Sequence, residues 1–443
     1  MLDWINRCVL GVLTPPALMG CGVWLLLYLR GGPMAHPCAV CRVLTRHEHS
    51  GGITPFRALT LALAGTLGVG NIVGVASAIA MGGAGAIFWM WVSAAVAMIL
   101  KYAEVLLAVT HRCTSESGIP YGGAMYYIRD VLDRRRLPRA GAVLAGIFAL
   151  LCLLDALSTG CVIQVNAAVK ALEGVFDVSP TFCGIVLAVI CLFYVGRGAE
   201  SISFLTELLV PLMTGGYLLL SATVLILRAE AIPTALGEIF RDAFTPQSAA
   251  GGALGFLLNR GIRYGTMRGL LSNEAGCGTA PIAHAAAHTK SAVEQGFWGL
   301  FEVFVDTILL CTVTALVILV EPQMIELYAG DGVMMTIAAY TAVLGQWAAW
   351  FLAVAVLLFG FATVICWSHY GAECLRYLTD QRWVQMLYRI VTCAAVILGA
   401  HLSPDSLWDA ADFALGTMTL INLSVLILAR REIKDETRHY FQI

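Results

Sequence analysis

Residues 296–320, 347–367 and 385–402 are apolar almost throughout. Each run is long enough to cross about 30 Å of hydrocarbon as a helix rising about 1.5 Å per residue. Three such runs in one chain demand a non-aqueous surrounding, and the composition agrees. Of the 443 residues 59% are apolar and 13% charged, with a mean hydropathy of +0.80, whereas soluble domains carry about 25% charged residues. A disordered chain needs low hydrophobicity and high charge and is excluded. An outer-membrane barrel would alternate apolar and polar residues in segments of about ten, which these runs do not. The expected class is all-α, a polytopic membrane protein whose partner is the lipid bilayer.

About eleven spans are expected. An outlying helix lies near 8–29. Ten core helices follow, near 58–81, 86–110, 142–170, 180–196, 202–227, 251–285, 296–320, 347–374, 385–402 and 407–429. The short stretch 333–345 reads as a membrane-surface helix. The first apolar run has no basic leader run and no small-residue cleavage site, so it reads as a retained span rather than a signal peptide. Net charge is −2, from 27 Lys+Arg against 29 Asp+Glu, a balance that suggests no nucleic-acid partner. Many of the 14 cysteines, such as Cys152, Cys161, Cys311 and Cys366, lie inside apolar runs, where they behave as small hydrophobes.

Basic residues set the expected orientation. With the C-terminus in the cytoplasm, that side collects Arg42, Arg46 and Arg57, then Arg112, Arg129, Arg134, Arg135, Arg136 and Arg139. It also takes Arg376, Arg382 and Arg389, and the tail's Arg430, Arg431, Lys434 and Arg438. The other side holds Arg7, Lys170, Arg228 and Arg241, and the 321–345 loop has no Lys or Arg. The N-terminus is therefore expected outside a bacterial inner membrane and the C-terminus inside.

Two core segments break helical rules. Glycines 65, 68, 70, 74, 82, 83 and 85 crowd the first, and glycines 261, 265, 269, 276 and 278, then Pro281, crowd the sixth. Each helical glycine costs roughly 1 kcal/mol against alanine. Asn71-Ile-Val-Gly-Val-Ala-Ser-Ala78 aligns with Asn273-Glu-Ala-Gly-Cys-Gly-Thr-Ala280 without a gap, and the same offset carries Glu104 onto Asp306. Five helices is an odd number, so two five-helix halves, 58–227 and 251–429, would have opposite orientation. Paired Gly-interrupted segments in two inverted halves point to a transport site at mid-membrane. There, freed backbone groups must meet a ligand or ion. Close helix packing by small residues is the competing account of Gly70 and Gly74.

Gly70-Asn-Ile-Val-Gly-Val-Ala-Ser-Ala-Ile-Ala80, Gly82-Gly-Ala-Gly-Ala-Ile-Phe-Trp-Met-Trp91 and Lys101-Tyr-Ala-Glu104 resemble the alanine or glycine:cation symporter family. So do Ser272-Asn-Glu-Ala-Gly-Cys-Gly-Thr-Ala-Pro-Ile-Ala-His-Ala-Ala-Ala287 and Trp367-Ser-His-Tyr-Gly371. The resemblance runs from about 50 to 430. It implies a LeuT-like 5+5 inverted repeat with one additional N-terminal helix (1–57 with its loop) and a short cytoplasmic tail, 430–443. The implied function is Na⁺-coupled import of a small neutral amino acid, alanine or glycine, by alternating access, with no cofactor and no enzymatic activity.

Gly68-Val-Gly-Asn71 also resembles the first core helix of bacterial neurotransmitter:sodium symporter relatives. The resemblance implies that the amides of Val69 and Gly70 face the substrate carboxylate. The carbonyls of Ala64 and Leu67 would face an ion shared with core helix eight, where Thr363 supplies a hydroxyl. Ala362 stands where the family pattern has serine. Thr66 and Asn71 would lie near a second ion position. Gln164 would be a substrate ligand, or alternatively an interhelical hydrogen bond. Trp367, Leu270 and Leu271 would wall the side-chain pocket, with Asn71, Ser272 and Asn273 helping to hold the zwitterion.

Asp155, within core helix three, departs from the family pattern. An intramembrane acid is a functional hypothesis by default, for a cation, a proton or an atypical substrate. The expectation here is a helix-end residue facing an aqueous vestibule or paired with an arginine. Arg263 and Arg268 are expected to pair with Glu207 or Glu274 as structural or gating bridges. His36, Cys38, Cys41, His47 and His49 have the look of zinc ligands, with unliganded reduced thiols the preferred reading. H⁺ coupling or another small zwitterion is the alternative within this fold. A transporter-like sensor is the alternative of another class, opposed by a tail of only about a dozen residues after Ala429. His-Glu-x-x-His and Gly-x-Ser-x-Gly, which would suggest an enzyme, are absent.

Overall fold

A computed structural model describes residues 6, 11–46, 52–116, 118–244, 265, 268–269, 272–402 and 405–442. Caps set several helix starts. The Thr54 hydroxyl accepts from the Arg57 amide at 3.2 Å ahead of Pro55, and Ser179 accepts from the Phe182 amide at 3.2 Å ahead of Pro180. Ser291 accepts from the Glu294 amide at 3.2 Å, and Asp331 accepts from the amides of Val333 and Met334, both at 3.1 Å. Each satisfies donors that a helix leaves unpaired in its first turn.

Among the described residues, six helices are long and apolar enough to cross a membrane, and one bent pair makes up to seven. The pair is core helix one, Pro55–Thr66 and Val69–Gly82, bent by 63°. Core helix two is Gly85–Thr110, three is Pro138–Phe176, five is Ala199–Leu227, seven is Ala292–Leu319, and eight is Gln346–Leu378. The outlying helix is Gly11–Tyr28. Core helix four is Pro180–Tyr194, nine is Arg382–Gly399 and ten is Asp405–Leu428. Of core helix six, residues 251–264 lie outside the described set, as do Leu270 and Leu271. Its C-terminal part resumes at Ala280–Ala285.

Core helix two is the hub, 89% buried over its most apolar window. Helix seven approaches it through Gly296 and Gly299, where a Cβ would lie 2.6 Å from Tyr102 and 2.7 Å from Val105. Helix five has a different exterior. Leu208, Leu212, Leu219 and Ile226 recur at helical spacing and are 66–75% exposed, a stripe that lipid covers.

Two features differ from the sequence reading. Core helices three and seven each pass through a π-helical segment, Ser158–Ile163 and Phe304–Cys311. The helix Gly332–Leu344 is not a surface helix: Val333, Met335, Thr336, Ile337, Ala339 and Tyr340 are buried. Its Thr336 hydroxyl reaches the Ile72 carbonyl at 3.5 Å. The apolar content that suggested a membrane surface is spent on protein contacts instead.

Candidate functional site: the broken first helix

The helical ladder of core helix one ends at Leu67, whose amide bonds the Leu63 carbonyl at 2.6 Å. Gly68 is extended, at φ −102° and ψ −157°, and a single 3₁₀ turn over Val69–Asn71 follows. The Val69 amide, deprived of its helical acceptor, donates to Gln164 Oε1 at 2.9 Å. Gln164 Nε2 in turn donates to the Thr159 carbonyl at 3.2 Å, inside the π segment of helix three. Gly68 is required by closeness: a Cβ there would stand 2.7 Å from Gln164 Oε1 and 2.9 Å from Thr363 Oγ1. Close packing at Gly70 and Gly74, the competing reading, is not seen: a Cβ at Gly70 would meet only Ser272 Cα at 4.0 Å, and one at Gly74 nothing within 4 Å.

Beyond the break, Asn71 Nδ2 donates to Asp306 Oδ1 at 2.8 Å, to the Asp306 carbonyl at 3.1 Å and to Ser272 Oγ at 3.2 Å. Ser272 and Thr307 each donate to Asp306 Oδ2 at 2.7 Å, and Asn273 Nδ2 donates to Thr307 Oγ1 at 3.0 Å. This polar knot is buried, and Asn71 Oδ1 within it has no hydrogen-bond partner. An orphaned buried oxygen is costly unless a ligand or ion meets it. Thr66 is not part of the knot; its hydroxyl turns back to the Ala62 carbonyl at 3.5 Å.

On the other side of the break, Thr363 Oγ1 donates to the carbonyls of Ala64 at 2.9 Å and Phe359 at 3.0 Å. Helices one and eight thus meet through oxygen atoms beside the unwound Leu67, and hard oxygen donors suit an alkali cation. Ala362 is buried there and contributes only a methyl group.

A cavity of about 630 Å³ descends to the break, and Thr66, Val69, Gly70, Gln164, Ser272 and Glu274 line its depth. Lys170, Glu173, Asp331 and His401 stand at its outer part. Of the expected site residues, Val69, Gly70, Gln164, Ser272 and Thr66 thus share one cavity wall. Asn71, Asn273, Ala64, Leu67, Ala362 and Thr363 form the layer behind it, and Leu270 and Leu271 lie outside the described residues.

Trp367 is also behind the wall, and this corrects its expected place in the lining. It is buried, donates from Nε1 to the Gly65 carbonyl at 3.3 Å and lies against Gly160, where a Cβ would overlap the indole. The fit of a large ring onto a bare glycine backbone pulls it out of the pocket.

Glu207 and Asp155 also depart from expectation. Glu207 pairs with Arg57 at 2.8 Å, joining helices five and one. Glu274 Oε2 accepts from Thr279 Oγ1 at 2.7 Å. Arg268 does line the cavity with Glu274, while Arg263 lies outside the described residues. Asp155 is neither at a helix end nor paired: it lies within Pro138–Phe176, fully buried, and both carboxylate oxygens lack a partner. His36 stacks on Phe441 at 4.3 Å between ring centres; His47 and His49 lie outside the described residues.

Sequence reasoning missed one buried network. Lys101 Nζ meets Glu302 Oε1 at 3.1 Å, His284 Nε2 meets Glu302 Oε2 at 3.0 Å, and Gln295 Nε2 meets His284 Nδ1 at 2.8 Å. It ties helix two to helices six and seven. The available signal was a lysine and a glutamate in otherwise apolar spans, each expensive unless paired.

The model of the sodium:alanine symporter family matches residues 1–443. The sodium/alanine symporter AgcS of Methanococcus maripaludis is 35% identical, over 100% of this chain and 97% of that protein. The amino-acid carrier protein AlsT of Bacillus subtilis is 37% identical, over 86% of this chain and 79% of that one. Among solved structures, MhsT in complex with L-phenylalanine matches with a TM-score of 0.58, over 86% of this chain and 90% of that chain, at 12% identity. That likeness is one of fold, and the fold is LeuT-like. With a sequence match that leaves no residue uncovered, the chain belongs to the sodium:alanine symporter family, whose members are multi-pass membrane transporters and not enzymes.

Proposed function

We propose that the protein imports alanine or glycine together with Na⁺ across a bacterial inner membrane by alternating access. The observation that carries this is the pair of oxygen and amide surfaces made by one break in one helix. On one side the Ala64 carbonyl meets the Thr363 hydroxyl at 2.9 Å, and with the Leu67 carbonyl next along the chain's break they make the cation site. On the other, the Val69–Gly70 amides face the cavity and receive a carboxylate, as the positive end of the half-helix favours. Gln164 occupies the Val69 amide at 2.9 Å. An arriving carboxylate replaces that oxygen, and the freed Gln164 Oε1 accepts from the substrate ammonium. Ser272, with Asn71 and Asn273 behind it, holds the rest of the zwitterion, and Asn71 Oδ1 with Asp306 beside it is the second ion position, from which the Thr66 hydroxyl is turned away. Leu270 and Leu271 limit the side chain, while Trp367 limits it indirectly by holding Gly160 and Gly65 in place.

In this reading 58–227 and 251–429 are the two inverted halves, 1–57 the outlying helix with its loop, and 430–443 a cytoplasmic tail. The cavity opens on the face carrying Lys170, Asp331 and His401, which the distribution of basic residues assigns to the exterior. Radiolabelled alanine uptake into proteoliposomes tests it. An imposed inward Na⁺ gradient drives accumulation, and unlabelled glycine competes. Accumulation driven by an H⁺ gradient alone, with Na⁺ absent, overturns the coupling; no alanine uptake under either gradient overturns the substrate.

A further inference from the structure

Asp155 is the buried acid that this mechanism leaves unused. It is fully buried, and neither oxygen has a hydrogen-bond partner. It begins the turn that leads into the π segment Ser158–Ile163, a local irregularity that often marks a functional position in a helix. Thr159, one turn further along, lines the cavity and faces Asp155, yet its hydroxyl forms no hydrogen bond. Asp155 itself is not among the lining residues. It lies one turn nearer the Pro138 end of helix three than Thr159, on the side away from Lys170 at the outer part of the cavity.

The groups acting on it carry no positive charge. They are the Thr159 hydroxyl, Asp412 from helix ten, Glu274 from helix six, and Cys152 on its own helix, itself hydrogen-bonded to Cys374 of helix eight. An ionised carboxylate in such a place, without a cation and with a single hydroxyl beside it that forms no hydrogen bond, is prohibitively unfavourable. Two occupants could relieve it, a metal cation or a proton. A cation needs several oxygen ligands; among the described residues no three Asp, Glu, His or Cys side chains are grouped to hold one, and the nearby carbonyls already accept side-chain hydrogen bonds. Ser158 Oγ donates to the Leu154 carbonyl at 3.0 Å and the Asp155 carbonyl at 3.4 Å, and Gln164 Nε2 holds the Thr159 carbonyl at 3.2 Å. A proton needs no further ligand.

We propose that Asp155 is a proton-binding site, and that the pathway beneath the cavity closes only with its carboxyl protonated. When that pathway opens, water reaches the carboxyl. The O–H bond breaks, the electron pair stays on the carboxylate oxygen, and the proton passes to water on the inner side. The carboxylate takes a proton back before the pathway can seal again. Alkaline conditions therefore hold the transporter open to the inside and slow its return. The inference rests on alternating access but not on the identity of the substrate.

Two measurements on the full chain test it. Difference infrared spectra of wild type against Asp155→Asn, in membranes, should show the carbonyl stretch of a protonated carboxylic acid that the variant lacks. Na⁺-driven alanine uptake into proteoliposomes, with pH raised equally on both sides, should fall in the wild type by up to about tenfold per unit, the limit for one titrating proton. In Asp155→Asn that fall should be largely lost, and in Asp155→Glu it should return. Wild type and Asp155→Asn sharing one pH profile overturns the proposal, as does the absence of the infrared band. A raised half-saturating Na⁺ concentration in Asp155→Asn with its pH profile intact also overturns it, making Asp155 a cation ligand. If no variant takes up alanine at any pH, the substrate assignment has failed, and the infrared result still decides Asp155.

Discussion

Asn71 donates to Asp306 across the two halves of the fold at 2.8 Å, and the residue related to Asp306 by the internal repeat, Glu104, does the reciprocal task. Glu104 Oε1 accepts from the Gly278 amide at 3.1 Å, just past Asn273, the repeat counterpart of Asn71. The second helix of each half thus carries an acid that fastens the interrupted first helix of the other half. Asn422 of helix ten adds a further donor to the same Glu104 oxygen.

Asp306→Ala should therefore cost more than an ordinary core change. It leaves Ser272 and Thr307 without their acceptor and takes one of three oxygen acceptors from Asn71, and each stranded buried polar group costs about 1–3 kcal/mol. Thermal unfolding in detergent should show a large loss, and uptake should vanish. Asp306→Asn, which keeps one acceptor oxygen, should fold better than the alanine variant. Equal stability of the two would mean that Asp306 does not hold the break.

Gly160→Ala should fail through Trp367. The added methyl group overlaps the indole, and overpacking of this kind costs roughly 1–3 kcal/mol. Trp367→Phe in the same chain should restore much of the lost stability and transport. Trp367→Ala alone should destabilise by about 3–5 kcal/mol, as large-to-small core changes do, and admit somewhat larger substrates. Rescue absent from the double variant would show that the two residues do not act as one packing unit.

Thr363→Val removes the hydroxyl between helices eight and one while keeping the shape. The half-saturating Na⁺ concentration for uptake should rise by at least about tenfold, equivalent to about 1.4 kcal/mol of binding. Ala362→Ser should leave it equal or lower. Uptake with unchanged Na⁺ dependence in Thr363→Val would place the cation elsewhere. The companion variant Gln164→Ala should weaken alanine and glycine alike, because it removes a contact to their common zwitterion.

His111, just beyond the end of helix two, holds the C-terminal helix Arg430–Phe441 in a pH-dependent way. Its Nδ1 meets Asp130 at 3.1 Å and its Nε2 meets Glu432 at 3.0 Å. Burial alone would lower the imidazole's affinity for its proton, but the two carboxylates, Glu432 first, outweigh it and hold the pKa above the ordinary value. The clamp is therefore fully present below the ordinary histidine pKa, about 6.5, and is lost as pH rises through the higher folded value. Amide exchange over 430–441, corrected for its intrinsic pH dependence, should speed up through that range by about tenfold, or about 1.4 kcal/mol. The Tyr102–Thr437 hydrogen bond at 2.7 Å still anchors the helix at high pH. His111→Gln should flatten the profile.

Much of the fold was legible in the chain itself. Apolar run length specifies a membrane helix because hydrocarbon thickness and helical rise are both constants, so no tertiary information is needed. The break at Gly68–Asn71 was legible for a similar reason: clustered glycines withdraw local helical preference whatever surrounds them. The fold class, the family and the grouping of Val69, Gly70 and Gln164 on one cavity followed from such local signals together with the resemblance.

Tertiary structure decided the partners. Gln164 lies 95 positions from the Val69 amide it caps, and Trp367 turned out to rest on Gly160 rather than in the lining. In a span that is apolar all round, composition does not say which face meets lipid, cavity or another helix. The same ambiguity hid the inward placement of Gly332–Leu344 and the Lys101–Glu302 pair. It also hid the burial of Asp155, since whether a lone acid in a membrane helix meets water, an arginine or nothing depends on neighbours far away in sequence. Here helices six, eight and ten supplied those neighbours, and the charges felt at Asp155 from Asp412 and Glu274 are acidic.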